Sequence, residues 1–204
     1  MADVTLTYKG NTIAEMSDTG TKTLKTAGKY CEGDIGVNYV KPSSGGSDEL
    51  VKQLVQTRSG DLTIPSNIGI TEIAMYAFSY SSHNVINLPE GVTKINNYAF
   101  YECSMSRIVL PQSITKIGVY ALGMCEYLGS ITFPQNLETI KSSAFTNCGL
   151  LSSVTFKGTP TEIDPTVFVS CYRLTTINVP WAEGAVANAP WGATNATINY
   201  NYTE

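Results

Sequence analysis

Clustered charge is the first thing this chain lacks. Among 204 residues only 15% are Asp, Glu, Lys or Arg, the net charge is -4, and Lys and Arg form no cluster. Contact with a phosphate backbone needs a basic stripe, so nucleic acid is excluded as an expected partner. Long hydrophobic runs are also missing. No stretch approaches the roughly 20 apolar residues that span a bilayer, which argues against membrane insertion. The opening MADVTLTYKGNTIAEM has neither a basic n-region nor an apolar h-region, and it predicts a product made in the cytoplasm without a signal peptide. Histidine occurs once, as His83, leaving a His-rich metal site, or a Ser-His or Cys-His pair, a single possible base. In the run SYSSHN it is expected on a surface loop. Cysteine is odd in number, at five, which is not the mark of a secreted disulfide framework. The AGKY run at 27–30 lacks the G-x-x-x-x-G-K-[ST] spacing of a phosphate loop, and Tyr30 stands where a metal-binding hydroxyl would be needed. LPQSI at 110–114 is a rung turn and no sorting signal. No enzyme activity, catalytic residue, metal or cofactor is expected.

What is present is a repeat. Cys103, Cys125, Cys148 and Cys171 follow one another at steps of 22, 23 and 23 residues. The third copy runs Ile108, Leu110, Pro111, Ile114, Ile117, Ala121, Leu122, Cys125. The fourth copy matches it position by position, as Ile131, Phe133, Pro134, Leu137, Ile140, Ala144, Phe145 and Cys148. First and fifth copies are degraded: Ser81 stands in place of cysteine, Lys157 in place of proline and Val167 in place of alanine. A unit of that length cannot bury its apolar side alone, so the copies must stack into a solenoid. The expected fold is an α+β solenoid of about five rungs of 22–23 residues with capping elements, preceded by a small β module.

Composition divides the chain further. Residues 1–41 alternate apolar and polar in short runs, such as Val4, Leu6 and Tyr8 against Thr5 and Thr7, and predict a small β-rich attachment module. KPSSGGS, residues 41–47, marks a flexible linker, bounded at 42–47. A capping helix is expected over 48–60, with Ser47 as N-cap and Leu50, Val51, Leu54 and Val55 on one side. Repeats occupy 61–174. A C-terminal cap follows over 175–204, in which Trp181 and Trp191 plug the open end and Thr197 to Tyr200 form a covering strand.

The pattern I-x-L-P-x-x-[IVL]-x-x-I-x-x-x-A-F-x-x-C resembles the BspA-like, or treponemal-type, bacterial leucine-rich repeats over about residues 61–174. That resemblance implies a family of surface adhesins and binding modules. VTLTYKGNTIAEM, with GTKTLKTAGKYCEGDIGVNYVKP, resembles leader modules of prophage- or phage-encoded proteins of gut Firmicutes, which implies a virion-associated or surface-displayed product.

Cysteines at one place on successive rungs form a row about 4.8 Å apart. Four thiolates must each lie about 2.3 Å from a shared zinc, so the row cannot wrap one ion. Buried free thiols acting as small hydrophobes are the expectation. Two columns remain as candidate ligand-binding residues. The first lies between the buried strand positions and holds Thr63, Asn87, Val109, Thr132, Thr155 and Asn178, a short and nearly uncharged ladder suited to hydrogen bonding with sugars. The second holds Tyr76, Tyr98 and Tyr120, then Ser143 and Thr166. Stacked tyrosines either cover the edge of the spine or offer rigid contact area to a partner. The expected function is a non-enzymatic module that recognises a protein or glycan, as part of a phage- or prophage-derived particle or a cell surface. The alternative is a purely structural component of a tail- or baseplate-like assembly. Residues 1–40 are too few for a large core of their own and expose strand edges, so self-association or docking through them is expected.

Overall fold

The computed structural model describes residues 61–63 and 71–203 in full, and the backbone alone at 4–8, 11–16, 22–24, 39–40 and 70. The linker at 42–47 and the capping helix at 48–60 lie outside the described residues. Strands β1 (Val4–Tyr8) and β2 (Asn11–Met16) form an antiparallel hairpin. β3 (Lys22–Leu24) and β4 (Tyr39–Val40) pair antiparallel, and β3 also pairs in parallel with β6 (Ile70–Ile73). Part of the N-terminal segment is thus bonded to the edge of the solenoid itself.

Each rung contributes a strand to a first sheet, and each but the last contributes a strand to a second, of two residues except in the first rung. The first-sheet strands are β5 (Asp61–Thr63), β7 (Val85–Asn87), β9 (Arg107–Val109), β11 (Ser130–Phe133), β13 (Ser153–Phe156) and β15 (Thr176–Asn178), and β16 (Thr197–Asn199) follows them. The second-sheet strands after β6 are β8 (Lys94–Ile95), β10 (Lys116–Ile117), β12 (Thr139–Ile140) and β14 (Glu162–Ile163). All pairings between rungs are parallel, with like positions opposite one another, as in Ile131 with Val154 and Ile117 with Ile140. The result is a solenoid of six turns, one more than the copy count read from the sequence.

The alternation that predicts buried strand centres holds. Leu62, Ile86, Ile108, Ile131, Val154 and Ile177 are all buried, and the Ala-Phe positions behind them are buried as well. Phe78 stacks on Phe100 with centroids 5.2 Å apart and planes 4° from parallel. At the far end Trp181 and Trp191 are buried against Phe156, and β16 pairs with β15.

The α component of the expected α+β class is not present: no helix occurs among the described residues. The run that closes each rung is a chain of turns. In one rung Ala99 N–H bonds the Asn96 carbonyl, Tyr101 the Tyr98 carbonyl and Cys103 the Phe100 carbonyl. The amides between them reach sideways, Phe100 N–H to the Ala121 carbonyl and Glu102 N–H to the Gly123 carbonyl. An α-helix uses every interior N–H within itself. Here alternate amides bind the next rung instead, so the same apolar spacing closes the rung without a helix. The pattern needs left-handed backbone twice per rung, and Tyr98 (φ 57°) and Glu102 (φ 56°) supply it, as do Tyr120 and Met124 one rung on. Close stacking sets a second demand at Gly118, where an added Cβ would lie 2.6 Å from Asn97 Oδ1 and 2.7 Å from its backbone nitrogen.

Candidate functional site

The first-sheet ladder lies where alternation places it. Buried centres force the flanking side chains outward, and Thr63, Val109 and Thr132 are exposed while Asn87, Thr155 and Asn178 are partly so. Its members bond along the stack: Asn87 Nδ2 donates to Thr63 Oγ1 at 3.0 Å, Asn178 Nδ2 to Thr155 Oγ1 at 3.3 Å, and Asn199 Nδ2 to Asn178 Oδ1 at 2.8 Å. Ser130, Ser153, Thr176 and Thr197 form a parallel file two residues earlier along each strand. The carboxy-terminal half of this face is therefore hydroxyl and amide groups without a charge.

The tyrosine column is continuous over three rungs. Tyr76 stacks on Tyr98 at 5.0 Å, and Tyr98 on Tyr120 at 5.2 Å. Tyr101 packs edge-on against both Tyr98 and Tyr120, and Tyr80 against Tyr101, which makes a five-ring patch. Tyr80 and Tyr101 were not singled out by sequence; Tyr80 itself stands on left-handed backbone at φ 63°, and Tyr101 lies between the left-handed Tyr98 and Glu102, so their placement is a property of the turns. The Tyr101 hydroxyl meets Met124 Sδ at 2.8 Å, and burial pushes its pKa up. Stacking consumes most of the ring faces, leaving edges and hydroxyls at the surface.

The cysteine row is buried, and each thiol donates to a carbonyl of the preceding rung, Cys103 to Phe78 at 2.8 Å and Cys148 to Leu122 at 3.3 Å. Burial pushes the Cys103 and Cys148 thiols well up, whereas a hydrogen bond with Cys148 lowers that of Cys171. Among the described residues no group of three or more His, Cys, Asp or Glu side chains is placed to hold a metal ion.

His83 is not on a surface loop. It is 2% exposed, its Nδ1 lies 2.6 Å from Ser81 Oγ, and its Nε2 is buried without a partner. Burial pushes the imidazole pKa down to about 4. A closer alignment of the rungs carries the signal: His83 stands two places after Ser81, as Met105 stands two places after the rung cysteine Cys103, and both fill the core. A neutral base sealed from solvent beside an equally buried hydroxyl has no access to a substrate.

The sequence pattern described as "BspA type Leucine rich repeat region" matches residues 56–180 in six copies. Among solved structures, a leucine rich repeat protein of T. pallidum (TpLRR) is 27% identical, with a TM-score of 0.58 and 72% of each chain covered. A leucine rich cell surface protein of Faecalibacterium prausnitzii A2-165 is 22% identical (TM-score 0.61), and the pneumococcal vaccine antigen PcpA is 20% identical (TM-score 0.58); both show the shared fold. The match covers 72% of this chain and 39% of the first of these two, and 86% and 50% for the second. No curated relative matches the sequence.

Proposed function

Because the chain belongs to the BspA-type leucine-rich repeat family, we propose that it is a non-enzymatic binding or adhesion module that recognises a glycan or protein through the first-sheet face. The observation that carries this reading is the uninterrupted file of uncharged polar groups from Thr132 to Asn199, held rigid by the sheet and by side-chain bonds between rungs. Rigid hydrogen-bonding groups lose little freedom on binding, which favours weak polar ligands. A T. pallidum repeat protein, a leucine rich cell surface protein and a vaccine antigen with the same fold support a surface role.

Attachment belongs to residues 1–40 in this proposal. β3 and β4 extend the solenoid's second sheet, while the β1–β2 hairpin presents strand edges that suit self-association or docking into a phage- or prophage-derived particle. A glycan and protein array probed with the full chain and with the Thr132→Arg/Thr155→Arg variant tests the binding face. A hit lost in the variant, at unchanged melting temperature, supports the module. Retained binding in the variant would move the site off this face, and a chain that binds nothing would favour a purely structural role.

A further inference from the structure

In each rung a buried cysteine and the next buried aliphatic residue mark the corner where the chain leaves its turns for the first sheet. One residue, Ser104, lies between Cys103 and Met105, and it is enough to close the corner, because both flanking side chains are buried. The next three rungs use two: Glu126 and Tyr127 before Leu128, Gly149 and Leu150 before Leu151, Tyr172 and Arg173 before Leu174. Closure is the same, with the Leu128, Leu151 and Leu174 amides bonded to the carbonyl of their own cysteine at 3.2, 3.1 and 3.0 Å. The first of these added residues precedes β11, where the first sheet divides into β5, β7 and β9 on one side and β11, β13, β15 and β16 on the other, while the second sheet runs unbroken.

The longer corner adds nothing to the core. It holds large side chains in solvent instead, with Tyr127 56% exposed, Leu150 40% and Tyr172 71%. Single exposed apolar residues are ordinary, but a file of them at one place on successive rungs marks a contact surface. The surface is grooved. An opening of about 270 Å³ is bordered by Glu102, Ser104 and Met124, and a second of about 340 Å³ by Asn147, Leu150 and Arg173. Glu126 and Tyr127 border both, so the two adjoin. Leu150 N–H bonds the Glu126 carbonyl at 2.9 Å, which ties the middle of the groove together. Charge is sorted along it, Glu102 and Glu126 towards one end and Arg173 at the other. None of the three forms an ion pair among the described residues.

We propose that this groove docks an extended segment of a partner protein that carries a Lys or Arg, an apolar side chain two places away and an Asp or Glu two places beyond that. Residues two apart on an extended chain share a face, and four residues span about 13 Å. Three rung steps, from the corner of Glu102 to that of Arg173, cover about 14 Å at the spacing of neighbouring strands. The basic side chain meets Glu102 and Glu126, the apolar one lies against Tyr127 and Leu150, and the acidic one meets Arg173, in either chain direction. Two carboxylates repel a polynucleotide, and a neutral glycan leaves all three charges without a counterpart. The groove shares no residue with the first-sheet ladder, so it is a second contact surface that does not depend on that one.

Amide NMR shifts of the isotope-labelled full chain test it, in titrations with the end-capped pentapeptide lysine-serine-leucine-serine-glutamate. Saturable shifts centred on Tyr127, Gly149 and Leu150 are expected, weakening with added salt. Binding should be at least about fivefold weaker when the peptide's glutamate becomes lysine, its lysine becomes glutamate, or its leucine becomes serine. Arg173→Glu should reverse the preference towards the peptide with two lysines, and Leu150→Ser should weaken binding of the parent peptide by about fivefold or more. Both side chains are exposed, so the melting temperature should not move. Lys116→Glu, the same change of charge on the second sheet, should bind as the unaltered chain does. No saturable shift, shifts centred elsewhere, or equal binding of the four peptides overturns the proposal. An Arg173→Glu variant that keeps the original order of preference overturns it as well.

Discussion

Tyr98 and Tyr120 stack with their planes 5° from parallel, and both rings sit on left-handed backbone at φ 57° and 51°. The stack is therefore a consequence of the turn ladder, since a position that requires positive φ recurs at one place on each rung. Aromatic pairs add about 1 kcal/mol beyond their buried area, and a β-branched residue at positive φ costs more than asparagine, which tolerates that region.

Tyr98→Asn should lower stability by roughly 1–2 kcal/mol through the lost ring contacts. Tyr98→Val should lose about a further 1–2 kcal/mol through backbone strain. Urea unfolding of the two variants checks the order; equal losses would show that the left-handed requirement is not what holds the position.

His83 should make stability depend on pH. Its folded pKa of about 4 lies below the ordinary value of 6.5. Between these values the unfolded chain takes up a proton that the folded chain refuses, so stability falls as pH drops from 6.5 towards 4 and does not respond to this group above 6.5. The full effect is roughly 3 kcal/mol. His83→Met, the residue of the next rung, should flatten the part of the profile between pH 4 and 6.5.

The row thiols should be silent in the folded protein. Cys103, Cys125 and Cys148 are sealed in the core and each donates to a carbonyl of the rung before, so a thiol reagent at neutral pH should modify them at the rate of unfolding. In denaturant all five cysteines of the chain should titrate at once. Fast labelling of any of these three in native buffer would contradict the packing.

Gly118→Ala should be among the most damaging single-atom changes. The new Cβ would sit 2.6–2.8 Å from Asn97 Oδ1, Asn97 N and Asn96 C, two of them backbone atoms that cannot turn away. Rung spacing would have to open locally, at a cost of about 2–3 kcal/mol. Thermal unfolding should show the loss, and a change below 0.5 kcal/mol would mean the stack is looser than its hydrogen bonds indicate.

The period of 22–23 residues, the buried strand centres from Leu62 to Ile177, and the outward ladder from Thr63 to Asn178 were legible in the amino-acid order. Each of these follows from hydrophobic alternation and self-similarity, which are properties of neighbours along the chain. Four things were not. The turns that replace a helix depend on amides such as Phe100 N–H bonding a carbonyl one rung away. The burial of His83 depends on the rungs that cover it, although its place two positions after Ser81 hints at the same slot as Met105. The five-ring patch arises because left-handed backbone brings Tyr80 and Tyr101 beside the stacked column. The split between β9 and β11 comes from one added residue, visible in the spacing, whose effect appears only when the second sheet and the turns hold the rungs together behind it. Local pattern thus determined which residues face the core. Contacts between rungs, made by groups more than 20 positions apart in the chain, decided how the rungs close and where the face opens.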